Sequence, residues 1–185
     1  MINIDIMAMR TVTLPSRSHA NDAGMDFYIP DFTDDFKKAF EAHKGNQLTR
    51  STDIPRIVND TLFIPAHSNA VIPSGICMDI APGFMGLFLN RSSVAGVKDC
   101  LIGAQVIDSG YTGEVHIDLH NVSGNMITFK MGEKVSQMVI VPVFTPSVTL
   151  LNEERFRMIT QERQRQAGSF GSTNKKPVVQ HELGL

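Results

Sequence analysis

From Thr61 to Val143 the chain alternates short apolar runs with turn signals. The runs are Leu62 to Ile64, Ala70 to Ile72, Ile76 to Ile80, Phe84 to Leu89, Glu114 to Asn121, Met126 to Phe129 and Val135 to Val143. Runs of this length and spacing predict the strands of a β-sandwich or barrel. Pro73-Ser74-Gly75, Ala81-Pro82-Gly83 and Ser123-Gly124-Asn125 supply the residues that turns between them require. At the N-terminus Ile2, Ile4 and Ile6 alternate with Asn3 and Asp5, which predicts a half-buried first strand.

One segment breaks the period of two. Between Asp31 and Asn59, Phe32, Phe36, Ala39 and Phe40 fall at helical spacing, with Asp34 and Asp35 in the first turn and Gly45 placed to end the helix. An amphipathic helix followed by a polar loop is therefore expected as an insertion at about 31–59. Its phenylalanines are expected to pack on the barrel, and its outer face is left as a surface for a protein partner.

Composition narrows the class. The chain has 185 residues, 42% hydrophobic and 19% charged, enough for one folded domain with its own core. A formal net charge of -2 offers no basic footprint for displacing counterions, so a nucleic-acid polymer is not an expected partner. A mononucleotide still is, because a few local cations and N–H groups can hold a triphosphate. Cys77 and Cys100 lack CxxC or paired-histidine spacing, so two reduced thiols are expected, with neither zinc nor a disulfide. No apolar run approaches the ~18 residues of a membrane span, and the N-terminus is not a signal peptide. A soluble, intracellular protein is the expectation, in the cytoplasm or, if virus-encoded, the host cytoplasm.

Five stretches gather small, charged and hydroxyl residues. The first, Asp22 to Phe27, reads by itself as a turn entering a strand. The second, Asn90 to Lys98, puts Arg91, Ser92 and Ser93 at a strand end, where a guanidinium, hydroxyls and backbone N–H groups suit a phosphate, although an ordinary polar loop reads equally well. The third, Gly103 to Gly113, predicts a hairpin whose first strand runs into Asp108 and which carries Tyr111 after its turn. Asp108 there suits a general base for water, or else simply caps the turn. The fourth, Gly132 to Val139, is a turn into the most apolar strand and contains Gln137. The fifth, Arg165 to Thr173, sets glycines around Phe170 with an arginine before and hydroxyls after, as in a lid over a phosphorylated planar ligand or in a loose tail.

In this order and spacing the five stretches resemble the five motifs of the trimeric dUTPase family. The likeness spans Asp22 to Thr173 apart from the helical insertion and includes R-S-S, I-D-x-x-Y-x-G and R-x-x-G-x-F-G-S-T. The resemblance implies an all-β, jelly-roll-like β-barrel (a β-clip) over 1–163 and a flexible C-terminal arm and tail over 164–185. It implies a homotrimer with shared active sites that hydrolyses dUTP to dUMP and pyrophosphate with Mg. Carried over, Asp108 would activate the water that attacks the α-phosphorus. Tyr111 would pack under the deoxyribose, and Gly103, Gln105 and Val106 would read the uracil edge. Arg91, Ser92, Ser93 and Gln137 would bind phosphate oxygens, and Asp26 would contact Mg through water. Phe170 and Gly171 would cover the base, with Arg165, Ser172 and Thr173 on the γ-phosphate.

Four positions depart from the family pattern. Gln105 replaces a common glycine, Gly110 the usual acidic residue before the tyrosine, and Ser169 an arm glycine. Asp118 stands where the related dCTP deaminases carry a glutamate. The alternatives are accordingly a dCTP deaminase, alone or bifunctional, and a regulatory binding module on the same fold.

Overall fold

Phe36 and Phe40, four residues apart on α1 (Asp34–Lys44), are both 0% exposed, and Phe32, two residues before the helix, is buried beside them at 5%. Their spacing aligns them on one helical face, and the Phe36 and Phe40 rings stack with centroids 6.0 Å apart. Thr33 caps the helix, its hydroxyl accepting from Phe36 N at 3.2 Å, and Asp34 and Asp35 occupy the first turn as expected. The computed structural model describes residues 4–44 and 54–163, so Ile2, the expected stop at Gly45 and the arm fall outside the described residues.

The chain divides into two compact units, Met1–Thr145 and Pro146–Leu185. The first holds three antiparallel sheets. β1 (Asp5–Ala8), β5 (Asn69–Asp79), β9 (Glu114–Asn121) and β7 (Cys100–Ile102) form one, in that order. β2 (Met25–Tyr28), β11 (Lys134–Pro142), β6 (Phe84–Asn90) and β8 (Val106–Asp108) form the second. The third is β10 (Ile127–Lys130), β4 (Thr61–Ile64) and β3 (Arg56–Val58). The inward residues of all three, with the phenylalanines of α1, make one core centred on Phe27, Leu62, Ile72, Phe88, Ile117 and Phe129. Phe27 and Phe88 meet edge to face at 4.9 Å. The expected all-β class with a helical insertion holds.

Four local expectations change. Pro73-Ser74-Gly75 is not a turn: β5 runs through it, and its pairing with β9 jumps from Pro73↔His116 to Cys77↔Glu114. Gly75 at φ +75° and a proline without an N–H suit such a bulge, and from Ile76 onward β1 pairs the other edge of β5. The end of the predicted polar loop is strand β3, joined to β4 by Asn59 and Asp60, both at positive φ, as a two-residue hairpin turn demands. β1 is exposed along its length rather than half-buried, because it is the sheet edge; only Ile4, just before it, packs partly on the core. The predicted hairpin around Asp108 is absent as a ladder. β8 pairs with β6 while β9 pairs with β5 and β7, so the loop between β8 and β9 crosses from one sheet to another.

Two helices were not expected. Asn90 ends β6, and Ser92–Lys98 forms the short helix α2 with Val94 buried beneath it. In the second unit Asn152 caps α3 (Glu153–Glu162), its side chain accepting from Arg155 N. Both cysteines are free and buried, and burial pushes the Cys100 thiol up to about 12. Among the described residues no helix is long and apolar enough to cross a membrane.

Candidate active site

Asp26 is 6% exposed, an expensive place for a carboxylate unless charge is returned to it. The register of the second sheet does so. β11 pairs with β2 on one side and β6 on the other, which brings Asp26, Gln137 and the residues after Asn90 side by side. Arg91 Nη1 pairs with Asp26 Oδ1, and Lys134 Nζ lies 2.7 Å from Oδ2. Ser18 donates to Oδ2 at 3.3 Å. Gln137 is oriented by its Nε2, which donates to Asn90 O at 2.9 Å.

These groups line a polar cleft of about 320 Å³ walled by Ser18, Asp22, Asp26, Arg91, Ser92 and Gln137, with the backbone of Ala23 and Gly24. Gly24 is there for space: a Cβ on it would stand 2.6 Å from Gln137 Oε1. Arg91 Nε is buried without a hydrogen-bond partner among the described residues, so the guanidinium keeps donor capacity beyond its pair with Asp26. A guanidinium, a hydroxyl and an amide facing one pocket are the donor set of an anion site. Ser93 stands exposed one residue further along α2 and does not line the cleft. Ser18, Asp22 and Lys134 belong to this group without a role implied by the motifs, although Asp22 opens the first stretch and Lys134 lies in the fourth with Gln137.

Asp108, Tyr111 and the Gly103–Val106 backbone form a second group. After β7 the chain leaves the first sheet: Gly103 N donates to Asp118 O at 2.8 Å, and Gln105 O then accepts from Phe88 N at 2.8 Å as the chain joins the second. Gly103 passes so close to Asp118 and His120 that a Cβ would lie 2.2 Å from Asp118 Oδ2. Asp118 is engaged structurally, with Asn69 Nδ2 on Oδ1 at 3.0 Å and His120 Nε2 on Oδ2 at 2.8 Å. Asp108 is exposed, and among the described residues its carboxylate makes no hydrogen bond; the turn closes through Tyr111 N to Asp108 O, backbone to backbone. The turn-capping reading of this side chain therefore fails. Tyr111, 42% exposed, donates its hydroxyl to Glu114 O at 2.7 Å.

Asp108 and Arg91 do not meet within one chain. Asp108 pairs with Met85 near the start of β6, whereas Arg91 follows Asn90 at its end, on the order of 20 Å away along the strand. Arg165, Phe170, Gly171, Ser172 and Thr173 lie outside the described residues.

Behind the Asp108 loop, burial holds His116 below its ordinary range, reinforced by the neighbouring His43 ring 4.3 Å away. For Glu114 burial acts upward but is outweighed by Arg10 and by Gly75 N, so its carboxyl sits below the usual range. Both folded-state values are depressed, so both groups favour the fold above their unfolded pKa. Stability is lost first as pH falls below about 6.5 for His116, then below about 4.3 for Glu114. Urea midpoints between pH 7.5 and 5.5 should fall more steeply for the wild type than for His116→Gln; parallel curves would mean that His116 carries no such linkage.

A dUTPase family model matches residues 53–174. The deoxyuridine 5'-triphosphate nucleotidohydrolase of Candida glabrata is 33% identical over 132 residues, 71% of this chain and 87% of that protein. Its counterpart from the Wolbachia of Brugia malayi is 30% identical over 125 residues, 66% of this chain and 78% of that protein. Among solved structures, a variant of the Staphylococcus bacteriophage 80alpha dUTPase with dUpNHpp superposes with a TM-score of 0.67 at 22% identity, covering 92% of this chain and 97% of that one. A dUTPase variant from phage phi11 of S. aureus, described with a structural Mg(II) ion, gives a TM-score of 0.60 at 21% identity, covering 82% and 97%.

Proposed function

As a member of the dUTPase family, the chain is a dUTP diphosphatase that splits dUTP into dUMP and pyrophosphate, and we propose that Asp108 is the base that activates the attacking water. The observation that carries this role is the state of its carboxylate: exposed at the end of a paired strand, with no hydrogen bond that commits it elsewhere among the described residues. For this task an aspartate needs only to orient a water beside it and accept its proton.

The remaining roles follow from the two groups. Arg91, Ser92 and Gln137 line the cleft and hold the phosphate oxygens, stabilising the charge that builds on them, and Ser93, the next residue of α2, joins them on the phosphate. The backbone of Gly103, Gln105 and Val106 reads the uracil edge, and Tyr111 packs under the sugar and excludes a 2'-hydroxyl. Because Asp108 and Arg91 stand far apart along β6, a working site takes them from different copies, which supports the homotrimer typical of the family. Arg165, Phe170, Gly171, Ser172 and Thr173 close over the base and the γ-phosphate from the C-terminal arm. The face of α1 left in solvent, with Lys37, Lys38 and Glu41, is the surface for a protein partner.

Mg fits this site as an ion that enters with the triphosphate. Among the described residues no three His, Cys, Asp or Glu side chains form a metal cluster, yet the Asp22 and Asp26 carboxylates share the cleft with the phosphate donors. Mg keeps most of its waters and needs few protein ligands, so Asp26 and Asp22 would hold it through water. When bound it neutralises phosphate charge.

Pyrophosphate release assayed with each deoxynucleoside triphosphate, with and without Mg, tests the reading; ammonia from dCTP without pyrophosphate from dUTP would reverse it. The arm has a separate test. Residues 164–174 hold two glycines, three hydroxyl residues and one large apolar side chain, too little to build core. A chain ending at Arg163 should keep its melting temperature and lose dUTP turnover, since the arm excludes water from the reacting phosphate. Full activity after truncation would remove the arm from the mechanism.

A further inference from the structure

We infer that the inserted helix braces the sugar-facing loop through a buried ion-pair knot, making Asp35, Arg10 and Glu114 positioning residues for discrimination between deoxyribose and ribose. The inference rests on the reading of Tyr111 as the residue under the sugar.

Arg10 and Glu114 are 104 positions apart in sequence, and their side chains are only 8% and 12% exposed. The Arg10 guanidinium faces both carboxylate oxygens of Glu114, Nη1 to Oε1 and Nη2 to Oε2, the second at 3.1 Å. Its third nitrogen, Nε, donates to Asp35 Oδ2 in the first turn of α1 at 2.9 Å. Glu114 Oε1 also accepts from Gly75 N at 2.7 Å, in the β5 bulge, and Met9 N donates to Gly75 O. Such a planar fork has one orientation that satisfies both acids, so the knot sets where β9 begins.

Glu114 is the first residue of β9 after the loop, and the loop hangs from it. Tyr111 Oη donates to Glu114 O, and Tyr111 N donates to Asp108 O. The ring folds back over Gly113, where a Cβ would stand 2.9 Å from the hydroxyl. Asp108 is anchored independently on β6. The place of the Tyr111 ring relative to Asp108 therefore depends on where Glu114 sits. A second contact, the His43 ring of α1 on the His116 ring of β9, ties the same helix to the same strand. The inserted helix thus reaches the sugar loop in two steps, Asp35 to Arg10 and Arg10 to Glu114.

The knot shapes selectivity more than chemistry, because it touches neither phosphate nor water. The measurement is the ratio of kcat/KM for dUTP to that for UTP, in variants confirmed as folded and assembled like the wild type. Glu114→Gln keeps an acceptor for Gly75 but loses the paired charge, and the ratio should drop about tenfold, since small misplacements of positioning groups carry effects of that size and larger. Tyr111→Phe, which removes only the link from ring to Glu114 O, should lower it in the same direction. Asp35→Ala changes a side chain that is 68% exposed and so folds safely; its ratio should fall by roughly threefold with kcat for dUTP retained. Arg10→Lys keeps the charge but not the fork and should resemble Glu114→Gln. Should Glu114→Gln fail to fold, Asp35→Ala and Tyr111→Phe carry the test. Unchanged ratios in the folded variants, with Tyr111→Ala still losing discrimination, overturn the brace and leave the tyrosine gate standing. An unchanged ratio in Tyr111→Ala overturns both.

Discussion

Asp108→Asn is expected to lower turnover of dUTP by ~10²- to 10⁴-fold, the usual worth of a general base. The amide keeps the shape of the side chain but cannot take the water's proton. Nothing in the fold depends on the carboxylate: it is exposed, among the described residues it makes no hydrogen bond, and β8 is held to β6 by backbone. Melting temperature and affinity for a non-hydrolysable dUTP analogue should therefore match the wild type, and the loss should lie in kcat. Steady-state kinetics with pyrophosphate detection decide the matter, and near wild-type kcat in the purified variant would take Asp108 out of the mechanism.

Phe36→Ala should destabilise the protein by about 3–5 kcal/mol, the cost of truncating a fully buried phenylalanine. Its ring is 0% exposed and stands between Phe32 at 5.3 Å and Phe40 at 6.0 Å, so no neighbour can collapse into the space without breaking the row. With a urea dependence of ~1–3 kcal/mol per M, the unfolding midpoint should fall by on the order of 2 M. Lys38→Ala, on the outer face of the same helix, should change it little. Equal effects of the two substitutions would mean that α1 is not part of the core.

Local pattern carried much of this architecture. The short apolar runs between turn signals placed the ends of β9 to the residue and those of β4, β6, β10 and β11 within a residue or so, because core-facing strands need apolar residues and the turns that end them need other ones. Helical spacing placed Phe36 and Phe40 of α1, with Phe32 just before it, on the buried side. Composition could not separate a turn from a bulge at Pro73-Ser74-Gly75, since the same residues serve both and only the partner strand decides. Nor could it show α2, too short to develop a period, or α3, whose face buries nothing.

The candidate site divides along the same line. Residue identity and order named the candidate groups, since R-S-S, I-D-x-x-Y-x-G and their companions are the local motifs on which the family resemblance rests. Pairing across the sheets decided where they stand. β6 sets Asp108 at one end and Arg91 at the other, and β11 brings Gln137 and Lys134 to Asp26. Register fixes such long-range neighbours, and register is a property of two strands that neither contains alone. The knot of Arg10, Asp35 and Glu114 is the clearest case. Three charges scattered over the chain look in sequence like ordinary surface residues, and only folding, by removing water from two of them, makes their pairing necessary.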